Sequence, residues 1–266
     1  MVGGMETALL LWEACCIPSL LHGAGTWVDI SETTIKKLNQ IQFWFLRLAL
    51  QVGQGAPKGS LLWDNQVLFM QLRVWKEQIM LVMHIRNLDE TSIANQIYKE
   101  QKEKQFPGLA LETKIICQNL NIEDCNETLL NKTKYSQIVT RALHIKNEQM
   151  LRLLAHGKCE RINREEYGKK EYISSKDIQS VRQHYRTRFG LQNFAGNYSN
   201  DNRFAKTSWL CRCLESRENE PHLTSGKCKV FGDLNERFGD LTDDENLVRF
   251  FQEVLARRDL LDEEEE

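Results

Sequence analysis

The segment WLCRCLESRENEPHLTSGKCKVF, residues 209–231, gathers three cysteines and one histidine within eighteen residues. Cys211 and Cys213 are separated by one residue, His222 follows after eight more, and Cys228 follows after a further five. Three thiolates and one imidazole form a ligand set that suits a tetrahedral zinc ion. Because four protein ligands leave no position for an activated water molecule, the predicted ion is structural and not catalytic.

The sequence between the Cys-x-Cys pair and the histidine, LESRENEP, is polar and offers few side chains for a core. A bound ion would supply the missing free energy, because metal binding and folding are coupled in such sites. We therefore predict that an ion substitutes for a core in this segment. The alternative is that the thiols are ordinary side chains beside an exposed histidine and hold no metal.

Charge is distributed unevenly along the chain, although the formal net charge is only −2. Residues 1–131 sum to −3, residues 132–208 to +9 and residues 209–266 to −8. A basic middle of this kind indicates a local anionic partner, and we expect RNA or DNA. The candidate contact residues are Lys169, Lys170, Lys176, Arg182, Arg186, Arg188, Arg203 and Lys206.

Aromatic residues accompany the last two of these basic residues in a stretch that lacks periodicity and is predicted to be a loop. They are Phe194, Tyr198, Phe204 and Trp209. Their rings can stack on unpaired bases while the basic side chains release counterions from phosphates. The alternative interpretation is a solvated helix face followed by ordinary loop anchors.

Apolar periodicity predicts that the chain is mainly α-helical. Apolar residues recur at spacings of three and four in the ranges 35–48, 68–83, 138–153 and 178–189, and again after residue 247. On the helix after Ser31 the predicted buried stripe is Ile35, Leu38, Ile41, Phe45 and Leu48. We expect the Trp, Phe and Met residues of this first third to be core side chains.

Short polar side chains predict where several helices begin. We expect Ser31 and Ser175 to cap the helices that follow them, and Asp89 or Thr91 to cap a fourth helix. Thr242 begins a Thr-Asp-Asp-Glu capping box for the last helix. The stretch GQGAPKGS, residues 53–60, is predicted to be a turn.

These patterns divide the chain into three predicted parts. Residues 1–108 form a helical bundle, and residues 109–174 form a helical connector. Residues 175–266 contain a basic helix, the Cys/His segment and a final helix with an acidic tail.

Two parts of the sequence resemble one protein family. The Cys/His segment is similar to a segment near the C-terminus of non-LTR (LINE-type) retrotransposon reverse transcriptases, which has a close Cys pair, an acidic stretch, His-Leu and a final Cys. WEACCIPSLLHGAGTWV, LNQIQFWFLRLAL and APKGSLLWDNQVLFMQLRVWKEQIMLVMHI resemble the region just beyond the polymerase core of the same proteins. LVRFFQEVLARRDLL resembles their usual ending. The resemblance is weakest from residue 109 to 206, and the gap from His222 to Cys228 is longer than usual.

The resemblance implies a thumb-like helical domain over residues 1–108 that grips a template-primer duplex. It also implies a small zinc-knuckle-like segment that helps to hold template RNA or target DNA. The expected function is that of a non-catalytic nucleic-acid-binding fragment of an RNA-directed DNA polymerase. The alternative, from another functional class, is an all-α protein-interaction scaffold that binds neither metal nor nucleic acid.

We expect no catalytic residues in this chain. A polymerase of this family needs paired carboxylates for two divalent ions, and the only Asp-Asp pair, Asp243-Asp244, lies in the predicted capping box. By resemblance, the chain starts where the polymerase palm would already have ended. The sequence also lacks a Gly-Lys-Ser/Thr phosphate loop, Gly-x-Ser-x-Gly and His-Glu-x-x-His. We therefore expect that the chain is not an enzyme on its own.

The N-terminal sequence MVGGMETALLLWEACC predicts no signal peptide, because it has no basic residue and Glu6 and Glu13 interrupt its apolar run. No uninterrupted apolar run approaches membrane-spanning length. We expect an intracellular protein, nuclear or cytoplasmic and not secreted, whose thiols are reduced. We expect neither a membrane nor a small-molecule substrate as a partner.

Overall fold

The structure is a computed structural model, and it is mainly α-helical, which confirms the predicted fold class. It describes residues 4–126, 131–155, 162, 167–168, 170–189, 191, 211, 213, 216, 220–241 and 244–263. Within these ranges there is no β-strand. No helix of the described ranges combines the length and the apolar composition that crossing a lipid bilayer requires.

Twelve α-helices lie in the described part of the chain. They are α1 Met5–Leu11, α2 Ile17–Leu20, α3 Glu32–Leu50, α4 Lys58–Trp63, α5 Met70–Arg86, α6 Ile93–Lys104, α7 Leu109–Leu120, α8 Lys132–Leu153, α9 Ile178–Arg188, α10 Glu220–Thr224, α11 Gly232–Phe238 and α12 Asp244–Glu263. A π-helical turn, Trp12–Cys16, connects α1 to α2, and 3-10 turns lie at Ala24–Thr26 and Glu171–Ser174.

The chain divides into two compact units. The first, here called the helical unit, comprises Glu6–Ala49 and Pro57–Lys170. The second, the C-terminal unit, comprises Met1–Met5, Leu50–Ala56 and Glu171–Glu266. The three-part division expected from the sequence stays a prediction.

Helix α5 lies at the centre of the helical unit and contacts α6, α7, α8 and the Ala24–Thr26 turn. That turn approaches α5 closely at Gly25, where a Cβ atom would lie 3.0 Å from Cβ of Leu81 and 3.1 Å from the carbonyl oxygen of Glu77. A side chain at this position would crowd Leu81 and the helix backbone at Glu77, so glycine allows the turn to pack this closely. The Ala24–Thr26 turn is therefore packed directly against α5.

A buried amide fixes α8 to the start of α5. Asn147 of α8 accepts a hydrogen bond from the backbone N–H of Phe69 at 3.0 Å and donates to the carbonyl oxygen of Val67 at 3.2 Å. Because the asparagine is fully buried, its amide loses its hydrogen bonds to water on folding, and these two bonds replace them.

Aromatic residues form much of the core of the helical unit, as the sequence predicted. The rings of Trp12 and Phe45 stack with centroids 4.5 Å apart, and Trp63 is fully buried. The guanidinium of Arg152 lies 5.0 Å from the Trp63 ring centroid, close enough for a cation–π interaction. Trp44 and Phe106 are exceptions, because 65% and 52% of their surfaces are exposed.

The predicted buried stripe of α3 is partly wrong. Ile41 and Leu48 are 41% and 55% exposed, whereas Phe43 and Leu46 are buried. The helix is apolar over more than half of its circumference near its C-terminal end, so spacing alone could not decide which face packs. Ile41, Trp44 and Leu48 instead form an exposed apolar stripe on α3.

The structure confirms one predicted helix cap and corrects another. The Ser31 hydroxyl accepts a hydrogen bond from the backbone N–H of Thr34 at 3.2 Å, as a capping serine should. The cap of α9 is Asp177, not Ser175, because the Asp177 carboxylate accepts from the N–H groups of Gln179 and Ser180. The Ser175 hydroxyl instead accepts a hydrogen bond from the backbone N–H of Asp177, before α9 begins.

Two further boundaries differ from the prediction. Helix α6 begins after Ser92, so neither Asp89 nor Thr91 is its capping residue. The Asp89 carboxylate instead accepts a hydrogen bond from the backbone N–H of Thr91 within the preceding turn. The stretch predicted to be a turn becomes helical at Lys58, directly after Pro57. Thr242, predicted to cap the last helix, lies outside the described residues.

Candidate metal centre

The four residues singled out in the sequence come together in the C-terminal unit. The Sγ atoms of Cys211, Cys213 and Cys228 and a ring nitrogen of His222 all lie within 4.8 Å of one another. Sγ of Cys211 is 3.5 Å from Sγ of Cys228, and Sγ of Cys213 is 3.2 Å from Nε2 of His222. This group can therefore hold a metal ion.

These distances fit a single four-coordinate ion. A zinc–sulfur bond of about 2.3 Å in tetrahedral geometry places neighbouring ligand atoms about 3.8 Å apart. The distances Cys213 Sγ–His222 Nε2 and Cys211 Sγ–Cys228 Sγ, 3.2 and 3.5 Å, are a few tenths of an ångström below this value. Small side-chain movements would therefore bring all four atoms into contact with one ion.

A short helix and a tight turn bring the histidine towards the last cysteine. His222 lies on α10, and its carbonyl oxygen accepts a hydrogen bond from the Ser225 hydroxyl at 2.7 Å. The Ser225 oxygen in turn accepts from the N–H of Lys227 at 3.2 Å. Gly226 has φ +71°, in the left-handed region that glycine adopts without strain. The turn thus reverses the chain within five residues and returns Cys228 to the histidine.

The two outer cysteines are part of an apolar core. Cys211 and Cys228 are buried, and they pack with residues of α10, α11, α12 and the turn between them. The other buried members are Leu223, Phe231, Leu234, Phe250, Phe251 and Val254. The helices that follow the polar segment thus supply an apolar core beneath two of the four candidate ligands. The prediction that an ion substitutes for a core in the polar segment itself stays a prediction, because most of residues 214–221 lie outside the described residues.

Burial affects the chemistry of the thiols. It raises the pKa of the Cys211 thiol above the usual value of a cysteine, because an apolar environment disfavours the thiolate. An ion that binds here must therefore displace a proton, and its affinity depends on pH. Cys213 and His222 are only partly buried, so an ion can reach the group from their side.

An ion pair joins the two helices on which the cysteines pack. Arg257 of α12 donates two hydrogen bonds to the carboxylate of Asp233 on α11, at 2.7 and 2.8 Å, and a third to the carbonyl oxygen of Val230 at 3.1 Å. The guanidinium lowers the pKa of Asp233, and the carboxylate raises the pKa of Arg257. This pair connects α12 to the segment that directly follows Cys228.

The predicted nucleic-acid residues differ in exposure. Lys176 is exposed, whereas Arg182 and Arg188 of α9 are each only 7% exposed. The Arg188 guanidinium lies 5.9 Å from the Tyr172 ring centroid, and burial lowers the pKa of Arg182. Both arginines therefore present little surface to a phosphate.

The remaining basic candidates are distributed as follows. Arg186 is partly exposed and donates to the carbonyl oxygen of Gln51 at 2.6 Å, and Lys170 is partly buried at the end of the helical unit. Lys169, Arg203 and Lys206 lie outside the described residues, as do the aromatic candidates Phe194, Tyr198, Phe204 and Trp209. The predicted contacts with RNA or DNA stay predictions.

One group of candidate ligands was missed by the sequence reasoning. In the helical unit, ligand atoms of Cys117, Asp124 and Cys125 lie within 4.8 Å of one another. The available signal was a cysteine pair eight positions apart with an acidic residue beside the second. That signal is weak, because it depends on where the helix between the cysteines ends.

The Cys/His group is thus a folded cluster of four soft or borderline ligands on an apolar core. Comparisons of this chain with protein-family models, curated proteins and solved structures found no match.

Proposed function

We propose that the chain is a non-catalytic nucleic-acid-binding fragment that resembles the thumb and Cys/His region of a LINE-type reverse transcriptase. The observation that carries this proposal is the convergence of Cys211, Cys213, His222 and Cys228 within 4.8 Å. These are the residues by which the Cys/His segment resembles that family. A cluster that can hold an ion is what the resemblance requires of them.

The proposed ion is zinc, in a structural role. Three thiolates and one imidazole favour zinc over the hard cations magnesium and calcium, which prefer oxygen ligands. The ion would tie the Cys-x-Cys pair to α10 and to the start of α11. To test this, zinc is measured in the reduced chain, where Cys211→Ser/Cys228→Ser should remove one ion per chain. An unchanged zinc content in that variant would reject the assignment.

The proposed ligand is RNA or DNA, bound through the basic region between residues 132 and 208, which carries +9. Lysine and arginine side chains release counterions from phosphates, so affinity should fall steeply with salt. Among the described candidates, exposed Lys176 and partly exposed Arg186 are best placed to contribute.

Binding is tested by titrating the chain with a structured RNA over a series of salt concentrations. Lys176→Glu/Arg186→Glu should weaken binding and lower the slope of log affinity against log salt by about one to two. Lys37→Glu/Lys114→Glu is the matched control, because it reverses two charges at exposed residues outside the basic region 132–208. Negligible affinity of the parent chain at low salt would reject the proposal.

A second candidate function is that of an all-α protein-interaction scaffold. It is favoured by the exposed apolar stripe Ile41, Trp44 and Leu48 on α3 and by the burial of Arg182 and Arg188. On this hypothesis a chelator leaves helicity and melting temperature unchanged, and RNA does not bind. The zinc measurement and the RNA titration therefore distinguish the two functions.

A further inference from the structure

Two buried thiols and one carboxylate meet in the helical unit, far along the sequence from the Cys/His segment. Cys117 lies on α7, while Asp124 and Cys125 lie in the loop that follows this helix. The two sulfur atoms and a carboxylate oxygen are all within 4.8 Å of one another. Both cysteines are at most 1% exposed and are free thiols.

Neighbouring side chains hold this group in place. The hydroxyl of Tyr135, on α8, lies 3.5 Å from Sγ of Cys117 and donates to the carbonyl oxygen of Glu123. Asn126 donates to Oδ1 of Asp124 from its backbone N–H at 2.8 Å and from Nδ2 at 2.5 Å. The carboxylate is thus positioned beside the sulfurs, where it can serve as an ion ligand.

The charges around the group suit a divalent cation. Two thiolates and a carboxylate would place three negative charges together, which a buried site cannot hold without a cation. A divalent ion reduces this to one negative charge. Arg86 donates a hydrogen bond to the carbonyl oxygen of Cys125, and the Lys102 ammonium donates to the carbonyl oxygen of Asn126 at 3.0 Å. Two positive side chains therefore lie near the remaining negative charge.

The group also has a route to solvent. A cavity of about 280 Å³ lies against the carboxylate-bearing loop. Its lining includes Asp124, Asn126, Gln101, Lys102 and Lys114. A small ion can therefore reach Asp124 from the cavity, although the sulfur atoms are buried.

We propose that Cys117, Asp124 and Cys125 form a second metal site, which takes a borderline divalent cation of the zinc class. Sulfur and oxygen ligands together favour such an ion over magnesium or calcium. Three protein ligands leave one position of a four-coordinate ion for water or another small ligand. The second site is thus open, whereas the Cys/His centre is closed. This proposal does not depend on nucleic-acid binding.

The test counts zinc ions in the reduced full-length chain after titration with zinc alone. We expect two ions per chain in the parent and one in Cys211→Ser/Cys228→Ser, which leaves the second site intact. Cys117→Ser/Cys125→Ser should also hold one ion, and the quadruple variant none. Cys15→Ser/Cys16→Ser is the matched control, because it removes two adjacent thiols from the π-helical turn between α1 and α2. This variant should hold two zinc ions per chain.

The decisive variant is Cys211→Ser/Cys228→Ser, because its substitutions leave the sequence of the helical unit unaltered. Its result therefore counts even if Cys117→Ser/Cys125→Ser fails to fold. If Cys211→Ser/Cys228→Ser binds no zinc, the second site does not exist. In the same background, Asp124→Asn should weaken zinc binding by about tenfold or more, with unchanged helicity by circular dichroism. An unchanged affinity would remove Asp124 from the ligand set and overturn the proposed site.

The open position has its own readout. Cobalt replaces zinc in the Cys211→Ser/Cys228→Ser chain, and imidazole is then added as a small ligand. The visible cobalt spectrum should shift, while that of Cys117→Ser/Cys125→Ser, which keeps only the closed centre, should not. A spectrum of the second site that imidazole leaves unchanged would overturn the three-ligand assignment.

Discussion

Nε2 of His222 lies 3.2 Å from Sγ of Cys213, although eight residues separate them in the sequence. Replacing the imidazole should therefore remove one ligand without disturbing the buried pair Cys211 and Cys228. We expect His222→Ala to weaken zinc binding by about a hundredfold or more. Competition with a coloured zinc chelator measures the effect.

The control for this variant is His222→Cys. A cysteine supplies a thiolate at the same position and completes a four-cysteine site, which zinc also accepts. Zinc binding by His222→Cys should therefore remain much tighter than binding by His222→Ala. Equal affinities for the two variants would show that His222 is not a ligand.

The core beneath the metal centre should be sensitive to truncation at Phe250. This ring is fully buried on α12, 5.2 Å from the Phe251 ring and in the same core as Cys211 and Cys228. Phe250→Ala should lower the free energy of unfolding of the C-terminal unit by about 3–5 kcal/mol and weaken zinc binding as well. Urea unfolding and zinc competition measure the two effects.

Arg249→Ala is the matched control one residue away. The Arg249 side chain is 62% exposed and pairs with Glu245 one turn earlier. Removing an exposed pair of this kind should change stability by about 0.5 kcal/mol at most. A comparable loss in Arg249→Ala and Phe250→Ala would contradict the assigned core.

The pair Asp233–Arg257 should make the C-terminal unit sensitive to acid. Because the guanidinium lowers the pKa of Asp233 from its ordinary 3.8, the pair contributes its full stability above that value. The contribution is lost as the pH falls through the lower pKa of the folded state. Since the carboxylate is 62% exposed, we expect only about 0.2–1 kcal/mol, weakening with salt.

Asp233→Asn tests this pair by urea unfolding at neutral and acid pH. The variant should be less stable than the parent at neutral pH and equal to it in acid. Glu236→Gln, which removes an exposed carboxylate from the same helix, should show no such convergence. A constant difference between Asp233→Asn and the parent would argue against an electrostatic origin.

His144 should give the helical unit a pH dependence in a higher range. Burial, together with the positive charges of Lys76 and Arg73, lowers the pKa of this histidine from 6.5. The neutral form is thus favoured in the folded state, and its Nδ1 atom has no hydrogen-bond partner among the described residues. The helical unit should be most stable above the pKa that His144 has in the unfolded chain. Its free energy of unfolding should fall as the pH drops below that value.

Urea unfolding at about pH 7.5 and about pH 5.5 measures this loss, in a range where few carboxylates titrate. His144→Gln should reduce the difference in stability between the two conditions. His84→Gln, on neighbouring α5, is the control and should leave the difference as it is in the parent. A parent chain of equal stability at both pH values would contradict the prediction.

The helical character of the chain could be predicted from the sequence because apolar spacing reports it directly. Which face of a helix packs could not, as α3 illustrates with Ile41 and Leu48 exposed and Leu46 buried. The residue that caps α9 could not be predicted for a related reason. Ser175 and Asp177 both have side chains that accept backbone hydrogen bonds, and the fold decides which of them begins the helix.

The four ligands of the Cys/His centre could be predicted from their types and spacing. Their dependence on a core could not, because Phe250 and Phe251 come more than twenty residues after Cys228 in the sequence. Cys117 and Cys125 gave no sequence motif. They meet because α7 ends at Leu120 and the chain reverses at Asn121, which has φ +52°.

Among the described cysteines, the burial of four separates their reactivity from that of Cys15 and Cys16. Cys15 is exposed and Cys16 partly so, whereas Cys117, Cys125, Cys211 and Cys228 are almost inaccessible. An alkylating reagent should modify the first pair at once and the others only when the surrounding helices open. The alkylation rate of each buried pair therefore reports the local unfolding of its own unit, and a bound ion would slow it further.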